Sequence, residues 1–379
     1  MPVPKPSRLS NPYFELAVAG LAAMAAFAVA YRNELTKPEP LGGKPPTLGP
    51  AGPEPIAVQR ARALQPGRGR DAVSPLQIPW RGWKDIFWRT YEEVQNDRLL
   101  ALAAGVVFYS LLALFPAVTA GVSLYGLFAD MRTLANHLSL GADILPSGAI
   151  EIIGDQIARI VSRGDVTLTF GFLLGLGFAM WSANAGMKAI FDALNIINNE
   201  EEKRSFVWLN AVSLFFTGCA IGLALLMVSA VIVVPAMLAR FGVDTAGEKL
   251  LAYGRWPVMF TVTLLAFSVL YRFGPSRRDA KWRWLSVGSM FAALAWLVVS
   301  AGFSFYVAHF GNYNATYGSL GAVIGLMMWM WLSTIVVLVG AELNSEIEHQ
   351  TAEDSTVGGA KPLGVRGAVM ADTVGAAKV

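Results

Sequence analysis

Residues Trp284 to Ala341 read WLSVGSMFAALAWLVVSAGFSFYVAHFGNYNATYGSLGAVIGLMMWMWLSTIVVLVGA, and these 58 residues include no Asp, Glu, Lys or Arg. A bilayer-spanning helix takes about 20 apolar residues, so the stretch predicts two spans joined by a short turn. Gly311-Asn312-Tyr313-Asn314 supplies the turn, because these residue types favour bends over helix. Backbone polar groups find no water inside a bilayer, so each half is expected to be helical. The second half, from Tyr317-Gly318 to Gly340-Ala341-Glu342, carries Met327 to Trp331 and then Ser333 and Thr334. That mixed face is too polar for lipid contact alone.

Working outward, the rest of the 379-residue chain has the same character. It is 54% hydrophobic and 15% charged, with a mean hydropathy of +0.48. A typical soluble domain is about 25% charged, so the composition predicts an all-α, polytopic membrane helix bundle with short amphipathic surface helices. A net charge of +3 is too small to imply nucleic acid as a partner. Cys219 is the single cysteine, which excludes an intrachain disulfide and a thiolate metal cluster. His137, His309 and His349 are too scattered to suggest a metal site. No cofactor and no catalytic residue is read from the sequence. Membrane lipids are the expected partners, with envelope proteins as a second class.

Four further apolar runs bring the expected core spans to six. Leu99–Ala129, Val166–Met187, Ser205–Ala239 and Trp256–Tyr271 precede the opening hairpin. Pro116 interrupts the first run and predicts a kink or a broken helix there. Three small-residue pairs, Gly171/Gly175, Gly218/Gly222 and Gly321/Gly325, predict close helix approach. Outside the spans, 1–31 is a tail holding the run Leu16–Ala30, read as a retained membrane-associated helix with a cleaved signal as the alternative. Residues 32–79 read as a Pro/Gly-rich basic linker, 80–349 as the membrane domain and 350–379 as a disordered tail. Trp80, Trp83, Phe87 and Tyr91 recur at helical spacing, which predicts a surface helix over Trp80–Arg98 with Lys84, Arg89 and Arg98 at headgroup level. Ile150, Ile153, Ile157 and Ile160 predict a second amphipathic helix in the loop 130–165.

Basic residues set the orientation. Loop 272–283 has five Lys or Arg and loop 309–317 has none. The positive-inside rule therefore puts Trp80–Arg98, loops 188–206 and 272–283 and the C-terminus in the cytoplasm.

Several separated motifs then agree in order with one family. Asp97-Arg98-Leu99-Leu100 leads into Phe108-Tyr109-Ser110 and Phe115-Pro116; Trp181 to Arg204 holds Asn195 and an acidic run. Leu270-Tyr271-Arg272 with Pro275, Tyr313-xxx-Tyr317-Gly318-Ser319-Leu320 and Gly340-Ala341-Glu342 follow. Over residues 80–350 the chain resembles the YihY/BrkB family of bacterial inner-membrane proteins, once labelled ribonuclease BN. The resemblance implies six spans with both ends of the matching region in the cytoplasm. Met330-Trp331 departs from it, since a tyrosine is expected in that aromatic cluster.

Candidate site residues follow from polarity inside apolar runs. Tyr109, Ser110 and Pro116 on the first span, with Ser333 and Thr334 on the sixth, predict a polar pocket opened by the Pro116 kink. Asn184 joins this set, as does Glu342, which marks an interface or serves as a gate or partner for a cation such as Lys188. Asn210, Ser213 and Thr217 are expected mainly to hydrogen-bond between helices, at on the order of 1 kcal/mol or less each. Uncharged polar faces suit a transporter or flippase-like protein for an amphipathic or envelope substrate. A tRNA-processing ribonuclease and a non-transporting assembly scaffold are the alternatives. Nuclease metal chemistry needs clustered acids or histidines, and the acids here lack that spacing.

Overall fold

The computed structural model describes residues 55–128, 165–228, 245–310 and 320–378, all within the unit Ala51–Val379. The readings on 1–54, on the loop helix near 150–160 and on the turn 311–317 lie outside these residues. The apolar runs form helices, as expected where lipid cannot satisfy backbone groups. In chain order, α1 (Ile56–Ala63) and α2 (Trp80–Asn96) precede the long helices. These are α3 (Leu99–Phe128), α4 (Asp165–Ile197), α5 (Phe206–Val228), α6 (Thr245–Phe273), α7 (Trp282–Phe310) and α8 (Leu320–His349). A short α9 (Val369–Asp372) follows. Among the described residues there is no strand, only an isolated antiparallel bridge between Ala280 and Thr356.

Length and composition support four crossing helices among the described residues, or five when α2 and α3 count as one span bent by 57°. The sequence reading counts six. The fourth run, read as Trp256–Tyr271, is the second part of a longer helix that starts at Thr245 and carries Pro257 inside it. Helix α3 continues through position 116, where the sequence allows a break; the Pro116 side chain lies outside the described residues. The sharp turn falls earlier, at Asp97-Arg98, where Arg98 adopts a left-handed φ of 52°. Few non-glycine residues take that conformation.

The long helices pack in a row, α5 on α4, α4 on α3, α3 on α8, α8 on α7 and α7 on α6. Helix α8 also touches α2 and α4, so it sits at the centre. Large apolar side chains such as Phe215, Leu265, Val298 and Phe305 face outward, as a lipid-facing surface requires. The closest backbone approach joins α7 to α8. A Cβ at Gly288 would collide with the Gly340 carbonyl oxygen, and one at Gly340 would lie 2.7 Å from the Ala292 Cβ.

Three of the six glycines read as packing sites are corrected by this geometry. Gly218, Gly222 and Gly325 have open space beside them among the described residues. Gly175, in the first half of α4, is half-buried. Its partner Gly171 lies in α4 with surroundings outside the described residues, and Gly321 is buried near the start of α8. The physical reason is that a missing side chain permits a close approach only where another helix is already directed at that point. The tight contact is therefore marked by Gly288 and Gly340, two glycines outside the predicted pairs.

The buried core lies toward one end of the bundle. Leu99, Leu194, Ile197, Tyr271 and Leu338 form one cluster there, and Ile86, Trp284, Leu343 and Ile347 another. Helix α2, the loops 198–205 and 274–281 and the chain after α8 converge on this polar end. Two further readings are corrected here. Residues 55–79, read as part of an extended linker, form α1 and a 3-10 turn at Pro75–Gln77, and bury Arg70. Residues 350–378, read as a disordered tail, are docked: Gly375 N–H donates to the His349 carbonyl at 2.8 Å, and Arg366 is buried among four backbone carbonyls. Helix α2 has the predicted two faces. Trp80, Phe87, Trp88 and Tyr91 are exposed, while Asp85, Ile86 and Arg89 are buried. Arg89 is thus inside the protein, not at headgroup level.

Candidate functional site

The predicted pocket residues fall into two groups that the described structure does not join. On α3, Tyr109 and Ser110 face Gly186 of α4: a Cβ there would lie 3.7 Å from the Tyr109 Cβ and 3.6 Å from the Ser110 Oγ. Ser110 Oγ donates to the Val106 carbonyl of its own helix at 2.9 Å. Ser333 turns to α7 instead, where it accepts a hydrogen bond from Trp296 Nε1 at 3.1 Å. Thr334 donates to the Met330 carbonyl at 2.8 Å. The α3–α8 contact is made by Trp331, whose indole Nε1 donates to the Leu100 carbonyl at 3.0 Å. Trp331 is the residue at the family's aromatic departure, so an indole N–H supplies a polar contact there.

Asn184 belongs to a polar cluster between α4 and α5. Its Nδ2 donates to Asn210 Oδ1 at 3.4 Å, and Lys188 Nζ donates to the same oxygen at 2.5 Å. Asn210 Nδ2 in turn donates to the Phe206 carbonyl at 2.7 Å. The cluster puts one cation and two amides on the apolar helices, with Asn210 about one turn inside the start of α5. Polar groups in such a place are costly and mark substrate or ion pathways. Lys188 is therefore committed to Asn210, and no ion pair joins it to Glu342 among the described residues.

Glu342 is 1% exposed, and its Oε2 has no hydrogen-bond partner among the described residues. Its charged neighbours are carboxylates, Glu346, Asp97 and Glu93. Among these, Glu346 is paired: Arg89 Nε donates to its Oε2 at 2.5 Å. At the helix corner, burial and then the Glu93 and Glu346 charges push the Asp97 carboxyl up to about 7. Among the described residues no group of three or more His, Cys, Asp or Glu is placed to hold a metal.

The polar end holds an ion-pair network that the sequence reading missed. Arg89 also donates to Gln350 Oε1 at 2.8 Å and to the Ala376 carbonyl at 3.0 Å. Arg70 donates to the carbonyls of Gln350 and Gly375 at 3.0 and 2.7 Å; burial, with the Arg89 charge adding, lowers it to about 10. Arg277 grips Glu348 in a fork of 2.6 and 2.7 Å. Asn195 ties two loops, accepting from Ser276 N–H at 2.6 Å and donating to Glu202 at 3.1 Å. Burial works against the Glu202 charge, but hydrogen bonds from Arg204 prevail and hold its carboxyl down to about 2. One signal was available: Glu342, Glu346 and Gln350 repeat every fourth residue beyond the apolar run, a stripe that calls for buried cations.

A model of the family described as virulence factor BrkB matches residues 90–363. The chain belongs to the BrkB family. Its match begins inside α2 and ends in the docked tail, so it takes in Glu346, Glu348 and Gln350 of the polar end but not Arg70, Arg89 or Gly375. Relatives agree. A putative ribonuclease-like protein, YfkH of Bacillus subtilis (strain 168), is 34% identical over 277 residues, 69% of this chain and 93% of YfkH. A UPF0761 membrane protein of Pseudoalteromonas translucida (strain TAC 125) is 28% identical over 284 residues, 72% of this chain and 88% of the relative. A UPF0761 membrane protein of Alkalilimnicola ehrlichii is 29% identical over 301 residues, 77% of this chain and 64% of the relative. No solved structure matches.

Proposed function

We propose that this BrkB-family chain is a six-span protein of the bacterial inner membrane, with its polar end in the cytoplasm, that moves an amphipathic envelope substrate. The observation that carries this reading is the Asn184–Lys188–Asn210 cluster on α4 and α5. It lies at the α5 end of the helix row. A headgroup crossing a low-dielectric region needs polar groups along its way. The charge bias of loop 272–283 supports the orientation. The same face of the bundle carries loops 198–205 and 274–281 and the tail, which fits spans of alternating direction.

The test is reconstitution of the full chain into liposomes with a panel of headgroup-labelled lipids. Accelerated transbilayer movement is expected, and Asn210→Leu should reduce it while leaving the protein monodisperse. No movement of any lipid in the panel would overturn the reading. The ribonuclease alternative has the printed name of YfkH behind it; cleavage of a tRNA precursor by the same preparation would favour it.

A further inference from the structure

The polar end carries an open groove of about 410 Å³ between the start of α5 and the end of α6. Lys203, Arg204, Arg277 and Arg278 are among its lining residues. Two of these cations are already committed. Arg204 holds Glu202 and the Phe273 and Gly274 carbonyls, and Arg277 holds Glu348. Arg278 is different: its guanidinium makes no hydrogen bond or ion pair among the described residues, and its backbone N–H fixes it to the Gly367 carbonyl at 3.0 Å. Lys203 has a side chain 59% exposed and a single anionic partner, Glu200. That carboxylate is shared with the Val369 N–H. Asp279, the acid lining the groove, lies 4.0 Å from Arg272.

Trp208, Val212 and Phe273 give the groove an apolar lining as well. The candidate spans Phe206–Leu223 and Trp256–Phe273 begin and end at this level. The membrane boundary therefore passes through the groove. At about 1.5 Å per helical residue, Trp208 and Val212 lie deeper than Lys203 along the same chain. The N-terminal end of α5 adds a partial positive charge at the same place. Cations at headgroup depth above an apolar wall at acyl depth make a shape that fits one amphiphile.

We propose that this groove holds the phosphate headgroup of an anionic phospholipid, with Arg278 and Lys203 on the phosphate and Trp208, Val212 and Phe273 along the glycerol and upper acyl chain. The site needs α5 and α6 to cross the membrane and does not require that the lipid be moved. Binding and translocation are thus read by separate assays.

The experiment uses the full chain in neutral detergent, with bound lipid counted by native mass spectrometry. Short-chain phosphatidylglycerol should bind in preference to phosphatidylcholine of the same chain length. A basic residue near an anionic surface contributes about fivefold in affinity. Lys203→Gln and Arg278→Gln should each lower phosphatidylglycerol binding by about that factor, and together by about 25-fold. Lys361→Gln, in the docked tail, should leave it unchanged, and Trp208→Ala should weaken both lipids. Equal binding of the two lipids, or an unaltered double variant, overturns the proposal. Inorganic phosphate and glycerol phosphate form the remaining arm. Wild-type protein that keeps phosphatidylglycerol against excess of either supports a lipid site even if the double variant does not fold. Displacement by either overturns it in favour of a soluble phosphate ligand.

Discussion

Arg89→Met is the sharpest test of the polar end. The guanidinium is 5% exposed and the Glu346 carboxylate 3%, so solvent screens neither. Removing the cation strips Glu346 of its 2.5 Å partner, Gln350 Oε1 of a donor at 2.8 Å and the Ala376 carbonyl of a donor at 3.0 Å. Breaking a buried pair from one side costs about 3–5 kcal/mol. The cost falls on the contact between α2, α8 and the tail, so local opening should reveal it. The Gly375 N–H, bonded to the His349 carbonyl, and the Lys378 N–H, bonded to Asp85, are the reporters. At roughly 1.4 kcal/mol per tenfold, even the lower figure predicts more than hundredfold faster hydrogen exchange at these amides. Hydrogen–deuterium exchange by mass spectrometry reads this directly. Glu346→Leu alone should have a similar effect. The Arg89→Met/Glu346→Leu double variant should recover much of it, because a well-packed apolar pair can replace a buried ionic one. Strictly additive effects, or less than tenfold change in the single variants, would refute the claim that this pair holds the end together.

Three more outcomes are expected. Gly288→Ala should destabilise the protein by about 1–3 kcal/mol through overpacking against Gly340 and Asn344, whereas Gly222→Ala should be near neutral; thermal denaturation in detergent separates the two. Asp97 takes up its proton more readily in the fold than in the unfolded chain, from a usual 3.8 to about 7. Its contribution is therefore present at low pH and lost as pH rises from about 4 to about 7, so Asp97→Asn should flatten that slope in the apparent melting temperature. Trp331→Phe should cost about 1 kcal/mol by removing the hydrogen bond to the Leu100 carbonyl, and an unchanged melting temperature would deny that bond a role.

The helices were legible because lipid leaves the backbone a single choice. Charge-free runs such as Ser205–Ala239 and Trp284–Ala341 contain α5 and most of α7 and α8. The polar end was not legible, for two physical reasons. Its pairs join residues that are far apart in the chain: Arg89 and Glu346 are separated by 257 positions. Residue type reports charge but not its partner. Its other anchors are backbone carbonyls, at Val374, Gly375 and Ala376, and every residue has one. A Gly/Ala/Val-rich tail therefore looks structureless while carrying the acceptors that arginines need. The same limit applies to the candidate site. Polarity singled out Asn184, Ser333 and Thr334, yet only the packing decides that Ser333 turns toward α7 and Asn184 toward α5. Glycine spacing failed similarly at Gly218 and Gly222, since a small side chain permits a close neighbour without supplying one.

The docked tail has a consequence for biosynthesis. Arg70 and Arg89 leave the ribosome well before their acceptors at Glu346, Gln350, Gly375 and Ala376 are made. At about 5–20 residues per second, the 257 positions between Arg89 and Glu346 take roughly 13 to 50 s to translate. Throughout that interval the early arginines wait, hydrated, beside helices already entering the bilayer. Residues 350–378 act as a latch on the segment made before them, and a chain cut short at Gln350 would leave that latch open for a quality-control protease to find.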